Sequence, residues 1–297
     1  MNKKVLTVSL ALLCSMGMSL HAIEPYIPNQ FFGLQDSFYS LNSDARPAYD
    51  FYNPAQLVNQ TGIRARFSSA PDFWGYSQWL IGGSMPLGKT VVGMTYLVDE
   101  AGDLISTNLD ENGRPEAAYG FADRQSRAQI AIGTPLSPDL ALGLRIAAAQ
   151  ATLDTARTNR LWGDVGVLYR ITPQWELGAY TDMWMQVYAA GGNGSIALTN
   201  NAVSRFYVES GYRQDTWFGG ISTNLDVTRL SIDYQFPAII SLNAMTLLRL
   251  KSSPLLRGYQ LGTRIRLEQL QVDYRFITLL QGGVSETQHL VGLSYLF

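Results

Sequence analysis

Few residues in this sequence have the types and spacing that chemistry needs. There are two histidines, His21 and His289, and a single cysteine, Cys14. Histidine is the usual general base near neutral pH. No serine or acid stands beside His289 at a spacing that would make a nucleophile, so it is read as packing at a membrane interface. A Cys/His metal site is ruled out by count. Between Asp99 and Arg124 seven acids (Asp99, Glu100, Asp103, Asp110, Glu111, Glu116, Asp123) face two arginines, Arg114 and Arg124. Carboxylates in such a loop can hold Ca²⁺, but the Asn112-Gly113 pair reads more simply as a solvated turn. The sequence therefore points to no enzyme: no catalytic residue, no cofactor and no metal.

The basic residues carry a different message. Of the 22 Lys and Arg, four are lysines (Lys3, Lys4, Lys89, Lys251), which leaves 18 arginines. Arginine suits a crowded polar lumen because its planar fork can serve several partners. On strand alternation Arg64, Arg66, Arg145, Arg170, Arg264, Arg266 and Arg275 share one face with Asp164, Glu176, Asp182, Asp233 and Asp273. They are expected either to line an aqueous pore for anionic solutes or to form mutual ion pairs filling a narrow barrel, the second being favoured. A net charge of −2 argues against a nucleic-acid binder.

These residues must be positioned by strands. Hydrophobic residues make up 46% of the chain, with 27 Gly and 16 Tyr. Past the N-terminus no apolar run is long enough for a transmembrane helix. Short alternating segments rich in aromatics are the signature of an all-β, transmembrane antiparallel meander barrel. The last strand is the clearest: His289, Val291, Leu293, Tyr295 and Phe297 share one face. Its aromatic end, with Tyr295 and Phe297, resembles the signal read by the barrel-assembly machinery of outer membranes. Met1–Ala22 is expected to be a cleaved signal peptide, with Lys3 and Lys4 before the short apolar run Val5–Leu13. Leu13 just before Cys14 argues against lipidation.

Two segments repeat at an offset of 40 residues: Ile221–Phe236 matches Leu261–Phe276. Each is read as strand, tight turn, strand, with turns at Thr228-Arg229 and Glu268-Gln269. In the second copy Leu270, Val272, Tyr274 and Phe276 are expected to face lipid, and Gln271, Asp273 and Arg275 the lumen. Short turns are expected at Pro86–Gly88, Ser137–Asp139 and Thr172-Pro173. Longer connections are expected near Ala70–Tyr76, Asp99–Arg124, Leu153–Arg160 and Ala189–Asn201. Counting every alternating segment gives about 14 strands. Putting both repeat turns on one rim merges Ala202–Val227 and Arg229–Leu250 into two long strands and gives about 12, the preferred number, with 14 the alternative.

Ahead of the barrel, Ile23–Thr61 contains Asp44-Ala45, Ala48 and then Asn53-Pro54-Ala55-Gln56-Leu57. Later come Asp110–Gly113, Phe121–Asp123, Ala141–Arg145, Asp164–Tyr169 and Gln174–Gly178, with Val272–Tyr274 and the closing strand last. In that order these motifs resemble FadL-type outer-membrane transporters and their PorV-like relatives. The resemblance implies an N-terminal segment, Ile23–Thr61, folded inward as a hatch, with Asn53, Pro54 and Ala55 as gating candidates and Gly62–Phe297 as the barrel. It also implies a gated or passive transporter of hydrophobic or small solutes in the bacterial outer membrane. A PorV-like, non-conducting scaffold for secretion or surface-attachment machinery is the alternative, and a lipid hydrolase at His289 a distant third. The expected partners are outer-membrane lipids, the barrel-assembly machinery and a hydrophobic small molecule.

Overall fold

The computed structural model describes residues 53–60, 62–70, 76–109, 114–153, 156–182, 185–191, 205–214, 216–223, 227–236, 239–249, 256–281 and 284–297. All lie within one compact unit, Leu34–Phe297. The expected signal peptide, the greater part of the hatch segment and the Asp110–Gly113 turn fall outside the described residues.

A 3-10 turn, Pro54–Asn59, precedes the sheet. The strands then follow as β1 (Arg64–Ala70), β2 (Tyr76–Leu87), β3 (Thr90–Leu109), β4 (Pro115–Pro135) and β5 (Leu140–Leu153). Next come β6 (Ala156–Arg170), β7 (Trp175–Asp182), β8 (Met185–Gly191), β9 (Arg205–Gln214) and β10 (Trp217–Thr223). The series ends with β11 (Val227–Gln235), β12 (Ile240–Arg249), β13 (Leu256–Leu267), β14 (Leu270–Gln281) and β15 (Val284–Leu296). Every pairing is antiparallel, β1 meets β15, and the β5–β6 pair closes the ring. β7 and β8 are two pieces of one barrel strand. On β6, Gly166 pairs with Tyr180 of β7 and Gly163 with Met185 of β8, so three steps on β6 span five on its neighbour, an irregularity of two residues. Fifteen segments thus make 14 barrel strands.

Fourteen strands, not 12, correct the preferred reading of the sequence. Thr228 and Arg229 do not form a turn. They sit inside β11, paired with Leu248 and Leu247. The stretches expected to be long single strands break at Gln214–Trp217 and at Phe236–Ile240. β10 therefore leaves the rim that carries Phe297, whereas β13 arrives at it, and the two copies of the repeat run in opposite directions. Lumen-versus-lipid alternation reads the same in both directions, so a repeat of that pattern carries no rim assignment. Two expected long connections are also mostly strand: Asp99–Arg124 is largely β3 and β4, and Leu153–Arg160 is bridged by residues 154–155 alone. The Ser137–Asp139 and Glu268-Gln269 turns lie where the sequence places them, and Gly88-Lys89 turns with Gly88 at φ +66°.

Alternation has a physical effect opposite to that in a soluble protein. Outward residues such as Met94, Leu144, Ile146 (63% exposed), Ile232 and Leu261 form an apolar belt. Near the Phe297 rim it is edged by paired aromatics: Tyr295 with Phe297, Tyr234 with Phe236, and Tyr212 with Trp217. An apolar band with an aromatic girdle is what a bilayer requires of a barrel wall. Closure of the strands into a ring pairs the backbone of the wall internally, as a bilayer requires. The buried side chains are mostly inward and polar, among them Arg64, Arg66, Arg145, Asp164, Arg264, Asp273 and Arg275.

Candidate functional site

Asn53 begins the site as the N-cap of the 3-10 turn. Its Oδ1 accepts from Ala55 N at 3.0 Å, and Pro54 sets the first turn residue. Capping and a fixed proline φ make this short turn rigid without help from length. The turn sits against the inner wall of β3, β4, β5 and β6, a few residues in from the Phe297 rim. Asn53 is completely buried, as are Ala55 and, nearly so, Leu57 and Gln56.

The wall accepts the turn because it lacks side chains there. Inward positions on five successive strands are glycines: Gly93, Gly133, Gly143, Gly166 and Gly178. Gly133 pairs with Gly143, and Gly143 with Gly166. A Cβ on Gly133 would lie 2.9 Å from Leu57 Cβ. One on Gly143 would overlap Ala55 N and Pro54 C and stand 2.6 Å from the Pro54 carbonyl oxygen. On Gly166 it would strike Asn53 Oδ1, and on Gly178 it would strike Glu209. These glycines serve close approach of two backbones. Small apolar contacts flank the track: Ala55 packs with Ala141, Leu168 and Val58, and Leu57 with Val91 and Ala131.

Polar bonds hold the ends of the turn. Asn53 Nδ2 donates to Glu209 Oε1 at 2.6 Å and to the Val167 carbonyl at 2.9 Å. Gln56 Nε2 reaches Glu209 Oε1 at 3.3 Å and Glu176 Oε1 at 3.4 Å. Arg170 Nη2 donates to Asn59 Oδ1 at 3.3 Å, and Ser84 Oγ donates to Gln60 Oε1. Beyond Glu209, the Tyr180 and Tyr207 rings stack at 4.9 Å. The Arg229 guanidinium lies 4.8 Å from the Tyr207 centroid and donates to Tyr180 Oη at 3.0 Å.

The remaining lumen charges divide between two walls. Arg145 Nε meets Asp164 Oδ2 at 2.6 Å, one step beyond the glycine track. Across the barrel Arg264 Nε meets Asp273 Oδ1 at 2.8 Å, and Gln271 Nε2 donates to Asp273 Oδ2 at 3.0 Å. Arg275 is buried on β14 with Gly262 opposite, and Arg266 faces Gln271 in register. Asp233 pairs in register with Asn243. Arg64 and Arg66 lie buried on β1, facing Leu296 and Ser294 of β15, away from the strands that seat the turn. The acids Glu24, Asp36, Asp44 and Asp50 lie outside the described residues. His289 is outward on β15, its Nδ1 2.6 Å from Tyr274 Oη with Phe276 edge-on.

Sequence reading picked out Asn53, Pro54 and Ala55 but not their seat. It missed Glu209, Gln56 and the glycines. The usable signal was a glycine at an inward position near the rim end of each of five consecutive strands.

No family model and no curated protein matches the chain. Solved structures do. A deltaS2S3 mutant of the TodX monoaromatic hydrocarbon channel aligns over 87% of this chain and 96% of its own, at 14% identity and TM-score 0.60. The toluene transporter TodX of Pseudomonas putida aligns over 86% and 94%, at 13% identity and TM-score 0.59. A Pseudomonas aeruginosa FadL homologue aligns over 87% and 96%, at 11% identity and TM-score 0.53. The closed strands and lipid-facing belt define a bacterial outer-membrane β-barrel. More narrowly, the fold is that of FadL-type outer-membrane barrels.

Proposed function

We propose that the protein is a gated transporter of hydrophobic or small solutes, and that Ile23–Thr61 is its hatch. The observation that carries this reading is the glycine track, which lets a short capped turn lie flush on the lumen wall. A turn needed only to start β1 would not require five strands to forgo a side chain. Among the described residues the turn is fastened by hydrogen bonds: two amide side chains on a carboxylate pair and the Val167 carbonyl, one arginine and one serine. An attachment of a few hydrogen bonds, each worth about 1–3 kcal/mol where a charge takes part, can open and close. The similar structures named as hydrocarbon channels and as a FadL homologue support the class of solute.

A PorV-like scaffold is the second reading. Its support is the burial of inward side chains: Arg275 and Gln260 are fully buried, which suits a filled lumen. Conductance of the purified protein in a planar bilayer separates the two. Openings that increase when the turn is unseated support transport, and a barrel that stays silent in every such variant supports the scaffold.

A further inference from the structure

We propose that the seat of the Pro54–Asn59 turn is itself a solute site, taking small apolar molecules headed by a neutral hydrogen-bond donor such as a primary amide, with Asn53–Leu57 as its tethered surrogate. The inference rests on the gating reading only in requiring that the turn leave its seat.

The surrogate's own chemistry identifies the class. Both donors on the carboxylate pair are primary amides, Asn53 Nδ2 and Gln56 Nε2, and the Val167 carbonyl takes the second hydrogen of Asn53. Behind them the buried faces are Ala55 against Ala141 and Leu168, and Leu57 against Val91 and Ala131. Glu209 is almost fully buried, and its Oε2 has no partner among the described residues. A vacated seat therefore offers acceptors at one end and an apolar floor at the other. That is the usual design of a small-molecule site, with a few placed polar groups in apolar walls.

The acceptors of the seat exclude an anionic head. Glu176 is paired in register with Arg170, and Arg229 stands across Ser222 from Glu209. Arg170 is engaged with Asn59, and Arg229 with Tyr180 and Tyr207, so the groups left to receive a solute head are the two carboxylates and the Val167 carbonyl, all of which take hydrogen bonds from a donor. A carboxylate head would face Glu209 and Glu176 with no hydrogen to give, and like charges disfavour binding.

The test measures competition for the seat. In a Leu57→Cys/Ala131→Cys protein, built on two residues that already pack together, oxidation by diamide joins the turn to its wall, and the rate reports how often the seat is filled by the turn. Hexanamide present at twice its apparent dissociation constant, the value measured with the turn competing, should slow the joining about threefold by mass action. Methyl hexanoate and hexanoate, of the same chain length, should leave the rate unchanged. Adding Glu209→Leu should abolish the hexanamide effect, whereas Glu209→Gln, which keeps an acceptor oxygen, should retain it and shows that the barrel folds. Equal slowing by methyl hexanoate, no slowing by hexanamide, or full slowing in Glu209→Leu would each overturn the proposal. Planar-bilayer conductance reads the gate separately, so a silent barrel that still binds hexanamide would refute transport and leave the site standing.

Discussion

Replacing Gly143 by alanine adds one methyl group at the centre of the glycine track. The new carbon would overlap the Ala55 amide and stand 2.6 Å from the Pro54 carbonyl oxygen. Both obstacles are backbone of a capped turn, so neither can rotate aside. The strand itself tolerates alanine, which β4 and β5 already carry at the inward positions 131, 141 and 147. Overpacking of this kind costs about 1–3 kcal/mol, and the turn escapes the cost by leaving. At about 2–3 kcal/mol the open population rises between about 30-fold and 150-fold. Single-channel recording in a planar bilayer reads this as open probability. Gly163→Ala is the control, since a Cβ there meets nothing nearer than the Arg145 carbonyl at 3.6 Å. Equal open probability in Gly143→Ala and wild type, with the barrel folded, would refute the argument that the track seats a gate.

Glu209→Leu should raise open probability more than Glu209→Gln, because only leucine removes the acceptor that the Asn53 and Gln56 amides share, leaving them the Val167 carbonyl and Glu176, at about 1–3 kcal/mol; equal effects in recordings would contradict the pin. Asp273→Ala should destabilise the barrel by about 3–5 kcal/mol by breaking the buried pair with Arg264, and adding Arg264→Met should recover part of it, as urea unfolding followed by heat-modifiable gel mobility will show. Ile146→Arg, near the middle of β5 and facing lipid, should cost about 2–4 kcal/mol in the same assay. Deleting Phe297 should reduce assembled barrel while export continues, if the aromatic end is the assembly signal, and normal amounts of folded protein would count against that role.

The barrel was legible because period-two alternation is a local property of each strand. Val272, Tyr274 and Phe276 against Gln271, Asp273 and Arg275 state their faces without reference to any neighbour. Strand number was harder, since it depends on where turns fall. Gln214–Trp217 and Phe236–Ile240 interrupt alternation too little to announce themselves, while Thr228-Arg229 imitates the true turn at Glu268-Gln269. The seat was hidden for another reason. Asn53 and Glu209 are 156 residues apart, and five strands contribute one glycine each. A glycine in a strand reads as a weak spot until register sets it beside its neighbours.

Conductance of the Leu57→Cys/Ala131→Cys protein, recorded before and after reduction in the same bilayer, tests the gate most directly. Leu57 packs against Ala131 and both already carry a Cβ, so the disulfide joins the turn to its wall without adding an atom to the glycine track. With the turn joined to its wall the barrel should stay closed, and reduction should restore openings within the same recording. Identical conductance in the oxidised and reduced states would contradict the claim that Pro54–Asn59 is the gate.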